Sequence, residues 1–405
     1  MAAPSYTDSL HDYSAPTYSP SATDGERILE LRPSLSSLPV DLPDMYVFQS
    51  RRIKLDLGSR IWPTRTPCYG HTGVVQGTVF ATTLEHVKRI TIVIEGIVKA
   101  SFMERGVLAG HVETTLFQRA VTLYTSGSSS DNPSAGYPFS ITLPATCDES
   151  ASLLPPSFVS YLPGASAEVC YRIRVDMSRS GLHRRESLVV PILYLPRSYT
   201  PPTPRNIPLF GDQASVLVRD QGMKELHLTP KALSKSAGKS KTALSTDVLA
   251  KIALPEPLVA ASGDRIPFTI TISSQSPALP ALYTDVTLQL VKISRTKVYE
   301  KSLVKETVIS SGEVYDSEQG DGMQVLRGEL GNGAPGSELS WSAAGIMEIK
   351  HVIRLSIRPS LSATALSANL PMFEGVVTVE IMTHHHSSDI ERATPALGLI
   401  GIGTR

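Results

Sequence analysis

The 405-residue chain lacks a net charge, because its 38 Lys and Arg residues balance its 38 Asp and Glu residues. General binding of nucleic acid needs a basic excess that neutralises phosphates, so this balance argues against that class of protein. Hydrophobic residues make up 41% of the chain, which argues against wholesale disorder. The length exceeds that of one compact domain and predicts two or three domains.

Cysteine is also scarce. The three cysteines are far apart and form no C-x-x-C pair; they are Cys68, Cys147 and Cys170. A sparse, odd set of this kind is typical of reduced thiols in a cytosolic protein. We interpret each as a small apolar side chain.

Long apolar runs are absent. The longest, such as residues 90–94 and 395–402, are far shorter than the roughly 20 residues that cross a bilayer. The N-terminal residues contain no basic segment followed by an apolar one, so we expect no secretion signal. These features predict a cytoplasmic protein.

Sequence signatures of catalysis are missing as well. The chain has no G-x-S-x-G, P-loop, H-E-x-x-H or dinucleotide-binding fingerprint, so we expect no enzymatic activity, no catalytic residue and no cofactor. His384 and His386 have a spacing that suits a metal on a strand, but no acidic or cysteine pair completes a site, and we predict no metal. His351 lies on the apolar face of its segment and is expected to be a core histidine.

Alternation of apolar and polar residues is the dominant pattern. It is clearest where the apolar residues Val169, Tyr171, Ile173 and Val175 alternate with Arg172 and other polar residues. The same period of two recurs in seven further segments, which are residues 53–57, 74–80, 90–94, 266–272, 286–290, 349–357 and 377–381, and residues 188–195 are predicted as one more strand. Amphipathic strands separated by polar turns predict an all-β fold of two tandem antiparallel β-sandwiches.

Composition shifts predict the domain boundaries. Residues 1–47 are rich in Ser, Pro and Thr and are expected to form a disordered leader. Five prolines within residues 196–208 indicate a stiff connector, since proline cannot enter a central strand. The predicted order is leader 1–47, first sandwich 48–198, linker 199–220, second sandwich 221–390 and tail 391–405.

Four motifs follow one another in the predicted first sandwich; they are YPFSITLP (137–144), LLPPSF (153–158), AEVCYRIRVDMSRSGL (167–182) and VVPILYLPR (189–197). In order and spacing they resemble the arrestin family, in particular fungal α-arrestin-like proteins. GVVQGTVF and VKRITIVIEGIVKASF resemble an earlier strand pair with a glycine near the end of its second strand. The segments beginning LPEPLVAASGDR and HVIRLSIR resemble parts of the arrestin C-terminal domain.

The resemblance covers roughly residues 48–385 and implies immunoglobulin-like sandwiches and an adaptor rather than an enzyme. Such proteins bind membrane transporters or receptors and recruit a HECT-type ubiquitin ligase, whose WW domains grip a Pro-Pro-x-Tyr motif. Ubiquitination then drives endocytosis of the cargo. The resemblance therefore implies a cytoplasmic adaptor with a peripheral plasma-membrane or endosomal pool.

The chain departs from the family in the ligase motif, because it contains no Pro-Pro-x-Tyr. The nearest match contains Pro16 and Tyr18, with Ala15 where the first proline belongs. An ordinary disordered leader is the simpler explanation of these residues. The alternative function is therefore a signalling scaffold without direct ligase recruitment.

Two groups of basic residues are candidate binding sites. Arg51, Arg52 and Lys54 lie near the first strand, where arrestins that recognise phosphorylated receptors carry basic residues, and arginine binds phosphate bidentately. Four lysines without nearby acids are candidates for ubiquitin acceptance or lipid contact; they are Lys231, Lys235, Lys239 and Lys241. A solvated basic surface is the alternative for both groups.

Overall fold

The computed structural model describes residues 42–127, 136–181, 185–202, 222–231, 247–360, 370–387 and 391–400. Within these ranges the chain forms 22 strands and no α-helix, with single 3-10 turns at Pro280–Leu282 and Leu397–Leu399. Each of the nine predicted strands overlaps a strand of the structure. The predicted all-β class is therefore confirmed, because period-two burial is the natural result of side chains that point alternately to the two faces of a sheet.

The first ten strands form two sheets. Their bounds are Met45–Gln49 (β1), Ile53–Ser59 (β2), Cys68–Tyr69 (β3), Val74–Ala81 (β4), Val87–Glu104 (β5), Val107–Thr125 (β6), Tyr137–Thr142 (β7), Phe158–Leu162 (β8), Ala165–Arg179 (β9) and Glu186–Tyr194 (β10). One sheet has the order β1-β2-β4-β7, and the other has the order β3-β10-β9-β5-β6 with β8 beside β9. All pairs are antiparallel except β3 with β10.

A single hydrophobic cluster joins these two sheets. It combines buried side chains of both, such as Ile53 of β2 and Ile92 of β5, because each strand turns its apolar set inward. Tyr171 of β9 is fully buried in this cluster, and its hydroxyl donates to the Pro155 carbonyl at 2.5 Å. That bond satisfies the only polar atom of an otherwise apolar side chain.

The remaining twelve strands form two more sheets. Their bounds are Met223–His227 (β11), Thr229–Lys231 (β12), Val248–Pro255 (β13), Val259–Ala261 (β14), Arg265–Ser274 (β15), Asp285–Val298 (β16), Lys301–Ser311 (β17), Glu313–Gly320 (β18), Met323–Gly331 (β19), Trp341–Ala343 (β20), Met347–Arg358 (β21) and Met372–Met382 (β22). The sheet orders are β11-β13-β15-β19-β18 and β12-β22-β21-β16-β17, with β14 beside β22 and β20 beside β21. A second hydrophobic cluster fills the space between their inward faces.

The first core continues into the second pair of sheets. Val298, Met347 and Ile349 belong to the same cluster as the strands of the first two sheets. The rings of Phe158 and Trp341 also meet edge to face, with centroids 5.2 Å apart. Because apolar packing of this kind is lost when surfaces separate, it holds the two halves of the described chain together.

The predicted boundaries meet the structure as follows. Strand β1 begins at Met45, within the segment interpreted as leader, and most of the predicted linker lies outside the described residues. Of the predicted tail, the described residues 391–400 lie against both halves: the Ala396 N–H donates to the Leu195 carbonyl at 2.9 Å, and Leu399 joins a small cluster with Leu339. Cys68, Cys147 and Cys170 are all free thiols, as expected.

Candidate functional site

The turn between β1 and β2 carries the first two predicted basic residues. Glu186 fixes this turn, because its Oε1 accepts from the Ser50 hydroxyl at 2.7 Å and from the Arg52 N–H at 2.9 Å. Arg51 is exposed and Arg52 is half-buried. Among the described residues, neither guanidinium pairs with a carboxylate.

Strand register brings four further basic residues to the same end of the sheets. Val87 lies opposite Arg179, and Arg89 lies opposite Ser178, so the start of β5 meets the end of β9. Glu186, at the start of β10, lies opposite Met177. We call the resulting group the basic end; it consists of Arg51, Arg52, Lys88, Arg89, Arg179 and Arg185.

The basic end has a surplus of positive charge. Within the described chain, the only one of its six cations that pairs with a carboxylate is Arg185, 2.6 Å from Asp176 Oδ2. Of the neighbouring acids, Glu186 is occupied by the turn, and Glu85 lies 3.5 Å from His86. Unpaired arginines on a surface attract oxyanions and bind them bidentately.

Lys54 has a different setting. It lies on β2 opposite Phe80, and its Nζ is 5.5 Å from the centre of that ring. The Phe80 ring contacts the Lys54 ammonium group in a cation–π interaction, although the Lys54 side chain remains exposed. Lys54 therefore lies beside the basic end rather than within it.

The other predicted contact residues are placed as follows. Lys231 ends β12 and pairs with Glu374, with Nζ and Oε2 2.7 Å apart. Pro16, Tyr18, Lys235, Lys239 and Lys241 lie outside the described residues.

Sequence reasoning missed four members of the basic end. Lys88, Arg89, Arg179 and Arg185 lie just outside the predicted strands at residues 90–94, 169–177 and 188–195. Their proximity comes from strand register: β5 pairs with β9 at residues about 90 positions apart, and β9 pairs with the next strand along the chain, β10. A pattern local to the sequence contains no signal for such a cluster.

A buried polar network lies inside the second pair of sheets. Lys292 Nζ is 2.8 and 3.0 Å from the two carboxylate oxygens of Glu338. Glu338 Oε2 is also 3.2 Å from His351 Nε2, and His351 Nδ1 is 2.9 Å from the Ser340 hydroxyl. His351 is 0% exposed, which confirms the expected core histidine.

The charged groups of this network are partners of one another. Burial alone would raise the pKa of Glu338, but the hydrogen bond from His351 and the charge and hydrogen bonds of Lys292 outweigh it, so the pKa is lowered. The Ser340 hydroxyl oxygen also accepts from the Ile381 N–H at 3.0 Å. The order Ser–His–Glu resembles that of a nucleophile, base and acid, yet each group here has a structural partner.

The histidine run forms contacts within the protein. His385 Nε2 lies 2.6 Å from Asp264 Oδ1, and His384 Nδ1 lies 2.8 Å from the Thr383 hydroxyl. The part of the chain that the structure describes contains no group of three or more His, Cys, Asp or Glu side chains that could hold a metal ion.

A second exposed feature is apolar. Met103, Val107 and Leu108 surround the tip of the β5–β6 hairpin and are more than half exposed. Tyr161, in the neighbouring strand β8, is 78% exposed. Exposed apolar side chains grouped in this way are typical of a surface that meets a partner.

Comparison of the chain with known protein families and with curated proteins gives no match. None of the described residues form a helix that is both long enough and apolar enough to cross a membrane.

Proposed function

We propose that the protein is an arrestin-like cytosolic adaptor that binds membrane-protein cargo and links it to ubiquitin-dependent endocytosis and sorting. The observation that carries the proposal is the surplus of unpaired cations at the basic end. A surface of this kind suits the acidic or phosphorylated cytosolic segment of a transporter or receptor. The exposed apolar tip of the β5–β6 hairpin offers a further contact for the same cargo.

The proposed architecture is a pair of tandem immunoglobulin-like sandwiches with the arrestin arrangement, spanning residues 48–198 and 221–390. Two antiparallel sheets that share each hydrophobic core support it. We also propose a peripheral plasma-membrane or endosomal pool. Proximity labelling in the native cell is expected to recover transporters, and purely soluble behaviour without cargo would contradict the proposal.

Neutralising the turn arginines is expected to weaken cargo binding. With Arg51→Gln/Arg52→Gln, we expect about tenfold weaker binding of a synthetic peptide of alternating phosphoserine and glutamate, since two charge-assisted contacts are lost. The affinity is measured by fluorescence anisotropy at two salt concentrations.

The matched control for this test is Arg295→Gln/Lys297→Gln, which removes two exposed cations from β16. It is expected to bind the phosphopeptide like the parent protein. The serine version of the peptide is expected to bind weakly to all three proteins. Equal affinity of the turn variant and the parent would exclude the basic end as the cargo site.

Direct recruitment of a ligase is tested at Tyr18. Tyr18→Ala is expected to abolish binding of isolated WW domains from a HECT-type ligase, because the tyrosine is the aromatic anchor of the degenerate motif. Binding is measured by calorimetry on the full chain. If it is undetectable both before and after the substitution, the function is instead that of a scaffold without direct ligase recruitment.

A further inference from the structure

Arg197 lies where three segments of the chain meet. It follows β10, and it lines a cavity of about 390 Å³ together with residues of the segment after β22 and of the described C-terminal segment. The lining includes Trp62, Ser262, Thr383, His384 and Leu397. Arg197 also lines a neighbouring cavity of about 400 Å³, which contains His71 and Arg392.

The Arg197 guanidinium has no adequate partner. Its side chain is only 24% exposed, yet it makes no hydrogen bond to any described residue, and its Nε is buried without an acceptor. The nearest carboxylate is that of Glu391, at 3.9 Å, and this side chain is 70% exposed. Leaving the buried Nε–H of Arg197 desolvated and without an acceptor is costly.

The surroundings of Arg197 suit an anion. Burial and then the Arg197 charge lower the pKa of His384, which favours the neutral imidazole with its one N–H. Asp264 on the cavity wall is paired with His385 at 2.6 Å. The Arg197 guanidinium therefore brings hydrogen-bond donors without partners to a concave, partly apolar space that also contains the Asp264 carboxylate.

We propose that Arg197 anchors an oxyanion site in this cavity, and that the site takes the phosphate group of a small ligand. The guanidinium fork matches two phosphate oxygens, and His384 and Thr383 line the same space. Trp62 and Leu397 provide an apolar wall for the rest of the ligand. The site shares no residue with the basic end, and binding of a small phosphate compound is not part of the proposed adaptor function.

The proposal is tested by thermal unfolding and calorimetry of the full chain with inorganic phosphate, against sodium chloride at equal ionic strength. We expect a saturable rise in the unfolding temperature of the parent protein, because a ligand that binds only the folded state stabilises it. Arg197→Gln is expected to lose this rise. In phosphate-free buffer, its unfolding temperature should equal or exceed that of the parent protein, since a buried donor without an acceptor has been removed.

The control variant Arg295→Gln, at an exposed arginine of β16, should keep the phosphate response. Arg197→Lys retains the charge but not the fork, and about tenfold weaker binding is expected. A parent protein without a saturable response, or an Arg197→Gln or Arg197→Lys variant with unchanged affinity, would overturn the proposal.

Glycerol phosphate and vesicles containing phosphatidic acid distinguish the source of the phosphate group. If only the soluble ester binds, the phosphate group belongs to a small metabolite. If the protein cosediments with the vesicles and Arg197→Gln does not, the phosphate group belongs to a lipid headgroup. Failure of this site leaves the adaptor proposal intact, because the phosphopeptide test depends on Arg51 and Arg52.

Discussion

Replacing Glu338 by Gln is expected to destabilise the protein by about 3–5 kcal/mol, since removing one partner of a buried ion pair leaves the other charge uncompensated. The Lys292 ammonium, with a side chain only 17% exposed, would lose both carboxylate contacts. His351 would lose the charge of its only acidic partner among the described residues. Urea unfolding measures the loss as a lower midpoint with an unchanged slope.

A matched control distinguishes burial from ion pairing as such. Lys301 and Glu104 form a pair with the same 2.8 Å separation, but both side chains are more than half exposed. Glu104→Gln is expected to leave the unfolding midpoint unchanged. A loss at Glu338 no larger than at Glu104 would contradict the argument.

The same network sets a pH dependence. The pKa of Glu338 is lower in the folded protein than in the unfolded chain, where glutamate titrates at about 4.3. The stabilisation is therefore fully present above the unfolded value and is lost as the pH falls through the folded value. The stability curves of the parent protein and of Glu338→Gln should approach each other in acid.

A double replacement separates the charge pair from its packing. Lys292→Met/Glu338→Leu removes both charges and keeps apolar volume, so it is expected to cost less than Glu338→Gln alone. A cost equal to or greater than that of the single variant would show that shape, rather than charge, determines the stability of this region.

The strands were predictable from the sequence because burial follows the local pleat. The alternation around Ile173 predicts which side chains of β9 face the core, and the structure agrees. The polar network was not predictable in the same way. His351 could be recognised as a core residue, but its partner Glu338 comes from an irregular segment, and Lys292 from a neighbouring strand.

The candidate sites were likewise predictable only in the part that a local stretch of sequence contains. Arg51 and Arg52 were identified by their position beside the first predicted strand, whereas Arg179 and Arg185 join them only through strand pairing. Arg197 was part of a recognisable strand-end segment, but its lack of a partner depends on how distant segments close around it. Unsatisfied polar groups arise from tertiary packing, which local patterns do not encode.

Replacing Gly96 by Ala is expected to destabilise the protein by about 3 kcal/mol, the upper end of the usual cost of overpacking a core. Gly96 lies on β5 between Phe117 of β6 and Tyr171 of β9. An added Cβ would lie 2.7 Å from Tyr171 Cε1 and 2.9 Å from Phe117 Cε1. The Tyr171 ring cannot simply swing away, because its hydroxyl is bonded to the Pro155 carbonyl.

The control for this prediction is Gly320→Ala in β18, where an added Cβ would meet no atom within 4 Å and the backbone is not left-handed. Its free energy of unfolding should stay within about 0.5 kcal/mol of the parent value.

Adding Phe117→Leu to Gly96→Ala should cost less than the two single substitutions together, because the smaller side chain makes room for the new methyl group. Strict additivity would instead show that the cost at Gly96 comes from the β5 backbone. The contact matters beyond its own energy, since it joins β6, β5 and β9, and β5 and β9 carry Lys88, Arg89 and Arg179 to the basic end.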